Sequence, residues 1–364
     1  MKRLFVALSG HGLGHIGQAA PAVNAIAAAL GECRITVQGI TPPDNIHERI
    51  SAVDTLLPIA CDITLLMDGP LHVRPEASLA AYRALHDHWD QAVQAQSALL
   101  ETHRPDIVLC DVPYLPLAAA QTLAIPNLAL CSLNWADLLE HYCGHLSGAA
   151  EIVEQIRSIY ASADAFLRCK PAMPMADLPN TQTIGPLMSR GQNRRARLDA
   201  LLQTRPGDKL ALISVGGMDL KRLPQSWPRR EGIHWLAPPA WQGVGDNIHD
   251  YTRLPIAYGD LIASVDLLIL KPGYGSCTEA AATGLPCLVF NRADWPEEPY
   301  LLDWLRIRCP VETVSAESLL QGNILDAVER LLRQPGGTGE SPTGIEQAAR
   351  YVMERWFNRR PSLP

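Results

Sequence analysis

The sequence lacks the features that would direct it to a membrane or to nucleic acid. None of its apolar runs reaches the roughly eighteen residues that a bilayer-spanning helix needs, and the apolar stretch before His11 is short for a secretory signal. A basic excess is also missing, since the net charge of the 364 residues is −7, with an acidic first half and a neutral second half. We therefore expect no integral membrane association, no nucleic-acid partner and a cytoplasmic location.

Closely spaced cysteine pairs are absent as well. The nine cysteines are scattered, and no two of them stand in a Cys-x-x-Cys spacing. This pattern is typical of reduced core residues rather than of a disulfide framework. The segment HYCGH, residues 141–145, offers metal-ligating side chains, but no second ligand cluster accompanies it. We predict neither a metal nor a cofactor.

The order of apolar and helical segments predicts an α/β protein with two domains. Short apolar, β-branched runs alternate with longer helical patterns, as in β-α-β units with parallel sheets. Candidate strands lie at 3–8, 34–40, 106–110, 127–131, 165–169, 209–217, 233–238, 265–273 and 286–291, and the longest helical pattern covers 76–102. The Gly-, Pro- and Arg-rich segment 183–195 separates two series of such units. We predict two Rossmann-like, doubly wound parallel-sheet domains, 1–188 and 189–364, facing each other across a cleft.

A glycine-rich loop, LSGHGLGHIGQAAP at 8–21, joins the first candidate strand to the first helix. Gly12, Gly14 and Gly17 satisfy the Gly-x-Gly-x-x-Gly spacing of dinucleotide-binding loops. Such sites also place an acidic residue at the end of the second strand to hold the ribose, and this sequence has Gln38 there. The spacing alone therefore does not predict NAD or FAD binding.

The same loop carries two histidines that are candidates for acid–base chemistry. His15 lies near the start of a helix predicted from Ile16, where the helix dipole favours a neutral imidazole that can accept a proton. The alternative is a histidine that caps the helix or pairs with a neighbour. His11 could serve instead, although its loop position makes it the poorer base.

A second pattern, LILKPGYGSCTEAAATGLPCLVFNR at 268–292, reads as strand, turn, helix and strand. The strand leads Lys271, Gly273 and Gly275 into the turn, and glycines there permit close approach of a ligand to the backbone. Three residues at the start of the helix would direct N–H groups at an anion: Ser276, Cys277 and Thr278. The pattern predicts a diphosphate site. Glu279 is either a helix cap or a ligand of ribose hydroxyls.

A third pattern, NRADWPEEPYLLDWL at 291–305, follows the next candidate strand. Asp294, Glu297 and Glu298 either favour the start of a helix at Pro299 or hold sugar hydroxyls, because they lie at the carboxyl end of a strand. We favour the ligand-binding interpretation.

These motifs resemble known proteins. GHGLGH after the first strand, IGPL at 184–187 and KPGYGSCTEAAATGLPCLVF resemble glycosyltransferases of the GT-B fold, especially the group containing the bacterial peptidoglycan N-acetylglucosaminyltransferase. KPGYGSCTEA together with NRADWPEEPYL is most similar to the glycosyltransferase-like amino-terminal part of plant L-arabinokinases. The order of elements agrees over nearly the whole chain, whereas the motifs occupy a small part of it.

The resemblance implies that the C-terminal domain binds a nucleotide sugar, usually UDP-linked, and that the N-terminal domain binds the acceptor. It assigns donor contacts to Gly216, Gly217, Gly275, Ser276, Thr278, Glu279, Asp294, Glu297 and Glu298, and the turn pattern itself adds Lys271, Gly273 and Cys277. It makes His15 the catalytic base, for which the loop also offers His11, and we expect Gly12, Gly14 and Asp111 on the acceptor side. The last helix, 344–357, can cross back to the first domain in such proteins.

The sequence departs from this family at three points. Lys271 stands where many relatives have histidine and could offset charge on the departing diphosphate. Gln18 stands where relatives with a GHxxR loop carry arginine, which leaves the first-domain ligand open. The Asp-x-Asp motif of metal-bridged diphosphate sites is absent, which favours a metal-independent reaction.

The expected function is an inverting transfer of a sugar from a nucleotide diphosphate, with UDP as the first choice, to an unknown acceptor. Two alternatives keep the same fold: a nucleotide-sugar hydrolase and a nucleotide-sugar 2-epimerase. A third is a non-catalytic module that binds a nucleotide sugar. The sequence leaves open the sugar, the base, the acceptor and the oligomeric state.

Overall fold

The contacts within the chain divide it into two units. The computed structural model describes residues 1–69, 72–214, 227–241, 247–292 and 294–358. The first unit contains Met1–Leu187 together with Pro342–Pro364, and the second contains Met188–Ser341. Within the described ranges, no helix combines the length and the apolar character that crossing a lipid bilayer requires.

The first unit is built on a parallel sheet. Its strands are β1 Lys2–Leu8, β2 Cys33–Gln38, β3 Val53–Leu57, β6 Ile107–Asp111, β7 Asn127–Cys131, β8 Ala165–Cys169 and β9 Thr181–Ile184, and a separate antiparallel pair joins β4 Met67–Asp68 to β5 His72–Val73. The helices are α1 Leu13–Leu30, α2 Pro43–Arg49, α3 Pro75–His86, α4 Trp89–His103, α5 Leu115–Thr122, α6 Trp135–Cys143 and α7 Ala149–Ser162. The strand order is β3-β2-β1-β6-β7-β8-β9, and β6 and β7 are buried along their whole length.

The second unit repeats this architecture on a smaller scale. Its parallel sheet has the order β12-β11-β10-β13-β14-β15, formed by β10 Lys209–Ser214, β11 Ile233–Ala237, β12 Ile248–Asp250, β13 Leu267–Leu270, β14 Cys287–Phe290 and β15 Val311–Val314. The helices are α8 Arg195–Leu202, α9 Tyr258–Ile262, α10 Tyr274–Thr283, α11 Glu298–Arg306, α12 Ala316–Leu320 and α13 Leu325–Leu332. Short 3-10 segments cover Pro239–Trp241 and Tyr251–Arg253.

Each sheet reverses its strand order at one place, between β1 and β6 in the first unit and between β10 and β13 in the second. In open α/β sheets, ligands bind at the carboxyl ends of the strands that flank such a reversal. The glycine loop follows β1, and Lys271 follows β13. Both motifs singled out by the sequence therefore stand at the position in their own unit that this fold uses for ligands.

The end of the chain packs on the first unit. Helix α14, Thr343–Val352, continues into a π-helical turn at Met353–Phe357 and contacts α1. Its start fits closely against the segment after β9: the Gly344 N–H donates to the Pro186 carbonyl at 3.2 Å, and the Gly185 N–H donates to Oε1 of Gln347 at 2.6 Å. A Cβ at Gly185 would collide with the Thr343 side chain, so this approach requires glycine.

The two-sheet α/β fold is confirmed, and four details of the expected elements are wrong. The pattern at 76–102 forms two helices, α3 and α4, because the polar sequence around Asp87 and His88 ends one and begins the other. Helix α1 begins at Leu13 rather than Ile16, and α10 begins at Tyr274 rather than Ser276. Strands β3, β9, β12 and β15 were not predicted. Each forms the edge of its sheet, where half-buried sequences lack a continuous apolar run.

Candidate functional site

The glycine loop of the first unit places His15 in the first turn of α1. Gly12 precedes this helix with φ 84° and ψ 180°, a conformation that only glycine adopts without strain, and its N–H donates to the Gly10 carbonyl at 2.9 Å. Gly12 and Gly14 are exposed, whereas the His15 side chain is buried. The loop therefore exposes backbone at the two glycines and turns the histidine inward.

His15 pairs with Asp111, the last residue of β6. The His15 Nδ1 atom lies 3.1 Å from Oδ2 and 3.4 Å from Oδ1 of this carboxylate, which is fully buried. Burial raises the pKa of Asp111, and the neighbouring His15 opposes this rise. A carboxylate that accepts the Nδ1 proton leaves Nε2 as the basic nitrogen of a neutral imidazole. Asp111, which was expected on the acceptor side, is placed against the histidine.

Two aromatic neighbours surround this pair. The Trp135 ring centroid is 5.4 Å from that of His11 and 5.9 Å from that of His15, and the two histidine rings are 6.3 Å apart. Trp135 is fully buried at the start of α6, where the Asn134 side chain accepts the Asp137 N–H at 2.8 Å. The structure thus brings both predicted histidines together and adds a tryptophan that no sequence motif had marked.

A chain of buried polar groups continues behind Asp111. The Cys131 thiol donates to Oε1 of Gln18 at 3.1 Å, and Nε2 of Gln18 donates to Oγ of Ser132 at 2.9 Å. Gln18 is buried, so its amide serves this network, and the first-domain ligand that the absent arginine left open stays unassigned.

His15, Asp111 and Cys131 also offer ligand atoms within 4.8 Å of one another, a spacing found among metal ligands too. The direct contact between His15 and Asp111 already engages the facing atoms of both residues. The geometry therefore favours a hydrogen-bonded network.

Asp62 is a further titratable group of this region that the sequence did not reveal. Its Oδ2 accepts the Tyr114 N–H at 2.6 Å, at the start of α5. Burial raises the pKa of this carboxyl to about 7, against the opposing effects of the Tyr114 and Leu115 N–H groups and of His15. A carboxyl group whose pKa lies near 7 can gain or lose a proton at physiological pH. No spacing rule identifies it, because it lies in a loop before β4.

The predicted diphosphate turn of the second unit begins after β13. Gly273 is the residue before α10, and the first-turn amides of Gly275 and Ser276 have no intrahelical acceptor by the geometry of an α-helix. The Cys277 N–H already donates to the Gly273 carbonyl at 3.0 Å, and the buried Thr278 hydroxyl donates to the Tyr274 carbonyl at 3.0 Å. The Gly275 and Ser276 amides are therefore the ones available to an anion, while the Cys277 N–H and the Thr278 hydroxyl bond within the helix.

Two cations lie close to this turn. Burial and the nearby Arg292 lower the pKa of Lys271 to about 8. The Arg292 guanidinium carbon stacks 4.1 Å from the Trp295 ring centroid, just after β14. No sequence motif marks Arg292, because its burial depends on the packing of the loop after β14. Like charges held together at a helix start create a site that favours a polyanion.

The three carboxylates after β14 have unequal surroundings. Glu297 is buried and accepts the Trp295 indole N–H at 3.1 Å, while Glu298 is buried and accepts the Arg292 backbone N–H at 2.8 Å. Burial raises the pKa of Glu298. Both groups hold the loop in shape, and Asp294 is the exposed carboxylate of the three.

Glu279 lines a small surface depression together with Arg190 and Gly191. Its position in α10 places it one turn beyond Gly275. Gly216 and Gly217, the other expected donor contacts, lie outside the described residues.

The two doubly wound sheets and the position of the motifs at their switch points define the fold of the GT-B glycosyltransferases. The chain is similar to the spinosyn forosaminyltransferase SpnP, with a TM-score of 0.60 and 17% identity over 98% of this chain and 95% of that chain. It is also similar to a UDP-GlcNAc 2-epimerase from Neisseria meningitidis bound to UDP-GlcNAc, with a TM-score of 0.56 and 15% identity over 99% of this chain and 100% of that chain.

Among curated proteins, the chain is 23% identical to L-arabinokinase of Arabidopsis thaliana over 97% of its own length, which corresponds to 34% of that protein. The chain thus spans about a third of this relative. No family model matches the sequence. The resemblance that the motifs indicated is confirmed for the fold and for the likeness to L-arabinokinase.

Proposed function

We propose that this chain is a metal-independent, inverting glycosyltransferase that uses a nucleotide-diphosphate sugar, with UDP as the first choice of nucleotide, and a hydroxyl acceptor. The observation that carries the proposal is the buried pair of His15 and Asp111 at the switch point of the first sheet. A module that only binds a nucleotide sugar has no use for an oriented imidazole with a basic Nε2.

In the proposed reaction the second unit holds the donor. The first-turn amides of Gly275 and Ser276 bind the diphosphate, and Lys271 and Arg292 offset its negative charge. This charge compensation is worth most when the bond between the anomeric carbon and the diphosphate oxygen breaks, since the leaving group then gains charge. Asp294 and Glu279 are the proposed contacts to the sugar and ribose hydroxyls.

The first unit activates the acceptor. Nε2 of His15 removes the hydroxyl proton as the acceptor oxygen forms its bond to the anomeric carbon. Asp111 keeps the Nδ1 proton in place and stabilises the imidazolium that results. One bond forms while the other breaks on the opposite face of the carbon, so the product has inverted configuration.

The test is an incubation with a panel of nucleotide sugars, with and without candidate hydroxyl acceptors, followed by nuclear magnetic resonance of the products. Transfer that requires an acceptor supports the proposal. Loss of donor in water alone would identify a hydrolase, and appearance of the C2 epimer would identify an epimerase. Tight binding without any turnover would identify a binding module.

Two variants locate the chemistry if transfer is found. We expect His15→Gln to lower turnover by at least about 10²-fold, the usual contribution of a general base. The matched control is His103→Gln, at the last position of α4, which should leave turnover unchanged. Full activity of the His15 variant would remove this residue from the mechanism and pass the role to His11.

A further inference from the structure

The hydrogen-bond network behind Asp111 links its carboxylate to the side chains of Cys131 and Gln18. Three donors surround the Asp111 carboxylate: His15, the Ser9 backbone N–H and the Cys131 thiol. The carboxylate is fully buried, so water cannot replace a donor that moves away. Each donor therefore changes how strongly Asp111 attracts the Nδ1 proton of His15.

The Cys131 thiol has one proton and two acceptors within reach. One is the Asp111 carboxylate, which has an oxygen within 4.8 Å of Sγ, and the other is Oε1 of Gln18, at 3.1 Å from Sγ. The Gln18 amide is fixed by the bond from its Nε2 to Oγ of Ser132 at 2.9 Å, so its oxygen faces the thiol. Gln18 thus competes with Asp111 for the same proton.

We propose that Cys131 and Gln18 are positioning residues that set the proton affinity of His15 through Asp111. When the thiol bonds to Gln18, the carboxylate keeps its full negative charge for the imidazole and favours the imidazolium. When the thiol bonds to Asp111, it withdraws charge from the carboxylate, and the imidazolium is less favoured. In the wild type the thiol is shared between the two acceptors, so Gln18 lowers the fraction of time that it bonds to Asp111 and makes His15 a stronger base than it would be with the thiol on Asp111 alone.

The role of His15 as catalytic base belongs to the proposed function, but this balance of hydrogen bonds exists in the ligand-free protein. It predicts opposite effects for two substitutions. Cys131→Ala removes a donor from Asp111 and should raise the midpoint of His15 protonation. Gln18→Leu removes the competing acceptor, leaves the thiol to Asp111 and should lower that midpoint. Each shift should be about half to one pH unit, since each change removes one hydrogen bond of ordinary strength.

The experiment is a pH titration of histidine ring signals by nuclear magnetic resonance, in chelator-containing buffer, with His15 identified by its absence in His15→Gln. The double variant Cys131→Ala/Gln18→Leu should titrate like Cys131→Ala, because Gln18 acts only through the thiol. Cys169→Ala, which removes a buried thiol from β8, is the matched control and should not shift His15.

Shifts of the same sign in the two single variants, or no shift in either, would overturn the proposal, because general loosening of the core has no reason to act in opposite directions. Thermal unfolding of each variant identifies any that fail to fold, and Cys131→Val, which also lacks a donor but fills more of the space of the thiol, then replaces Cys131→Ala and should likewise raise the midpoint. Absence of sugar transfer with the opposed shifts intact would refute the proposed function and leave this inference standing.

Discussion

Burial of the charged Lys271 side chain lowers the free energy of unfolding of the protein, and a bound anion should offset this destabilisation. The pKa of Lys271 falls from 10.5 to about 8 through burial and the nearby Arg292. A difference of this size corresponds to about 3 kcal/mol of destabilisation while the group is charged in the folded protein. Lys271→Met keeps most of the apolar stem and removes the charge. We expect the ligand-free variant to be more stable than the wild type at pH 7, by about 1–3 kcal/mol after partial solvation of the ammonium.

The pH dependence follows from the sign of the shift. The folded pKa lies below the unfolded one, so the cost is fully present below about pH 8 and disappears as the pH rises through 10.5. The difference in the free energy of unfolding between variant and wild type should therefore be largest at neutral pH and should decrease above pH 8. Urea unfolding measured between pH 6.5 and pH 9.5 checks this.

A bound nucleoside diphosphate should stabilise the wild type more than Lys271→Met and so reverse their order of stability. Added UDP should raise the unfolding temperature of the wild type and have a much smaller effect on Lys271→Met, since the variant lacks one of the two cations. Lys209→Met, at the opposite end of the second sheet, is the control and should respond to UDP like the wild type. A Lys271 variant that is less stable at pH 7 and still responds fully to UDP would refute the assignment of this turn.

Three further predictions concern the same two regions. Affinity for a nucleoside diphosphate should fall as the pH rises through 8, because Lys271 loses its charge, and isothermal titration at pH 7 and pH 9 measures the loss. Asp111→Asn should lower turnover by at least about 10²-fold while leaving donor binding unchanged, which steady-state kinetics separates into kcat and KM. Gly284→Ala should destabilise the protein by about 2–4 kcal/mol in urea unfolding, because Gly284 has φ 71° and an added Cβ would collide with the Gly337 carbonyl.

The sequence allowed prediction of those strands and turns that are determined by residues adjacent in the chain. Buried strands such as β6 and β13 are almost entirely apolar, and the glycines after β1 and β13 mark turns, with a positive φ at Gly12. The pairing of His15 with Asp111 could not be predicted, because their 96-residue separation is closed only by the pairing of β1 with β6.

The burial of individual charged side chains could not be predicted from the sequence either. Glu297 and Glu298 have the composition of a sugar-binding loop, yet both are buried and hydrogen-bonded within it. Arg292 looks like an ordinary surface residue in the sequence, yet the structure buries it and stacks its guanidinium on Trp295. Burial of a polar side chain depends on which distant segment covers it, and one sequence does not encode that in any spacing.

The return of the chain at Pro342 makes the second unit an insertion within the first. During synthesis, α14, which packs against α1, emerges only after the whole second unit. The helix that carries His15 therefore obtains this packing partner only after residues 188–341 have been synthesised. Residues 188–341 can be excised as one continuous piece, whereas a fragment ending at 187 would expose the apolar side of α1.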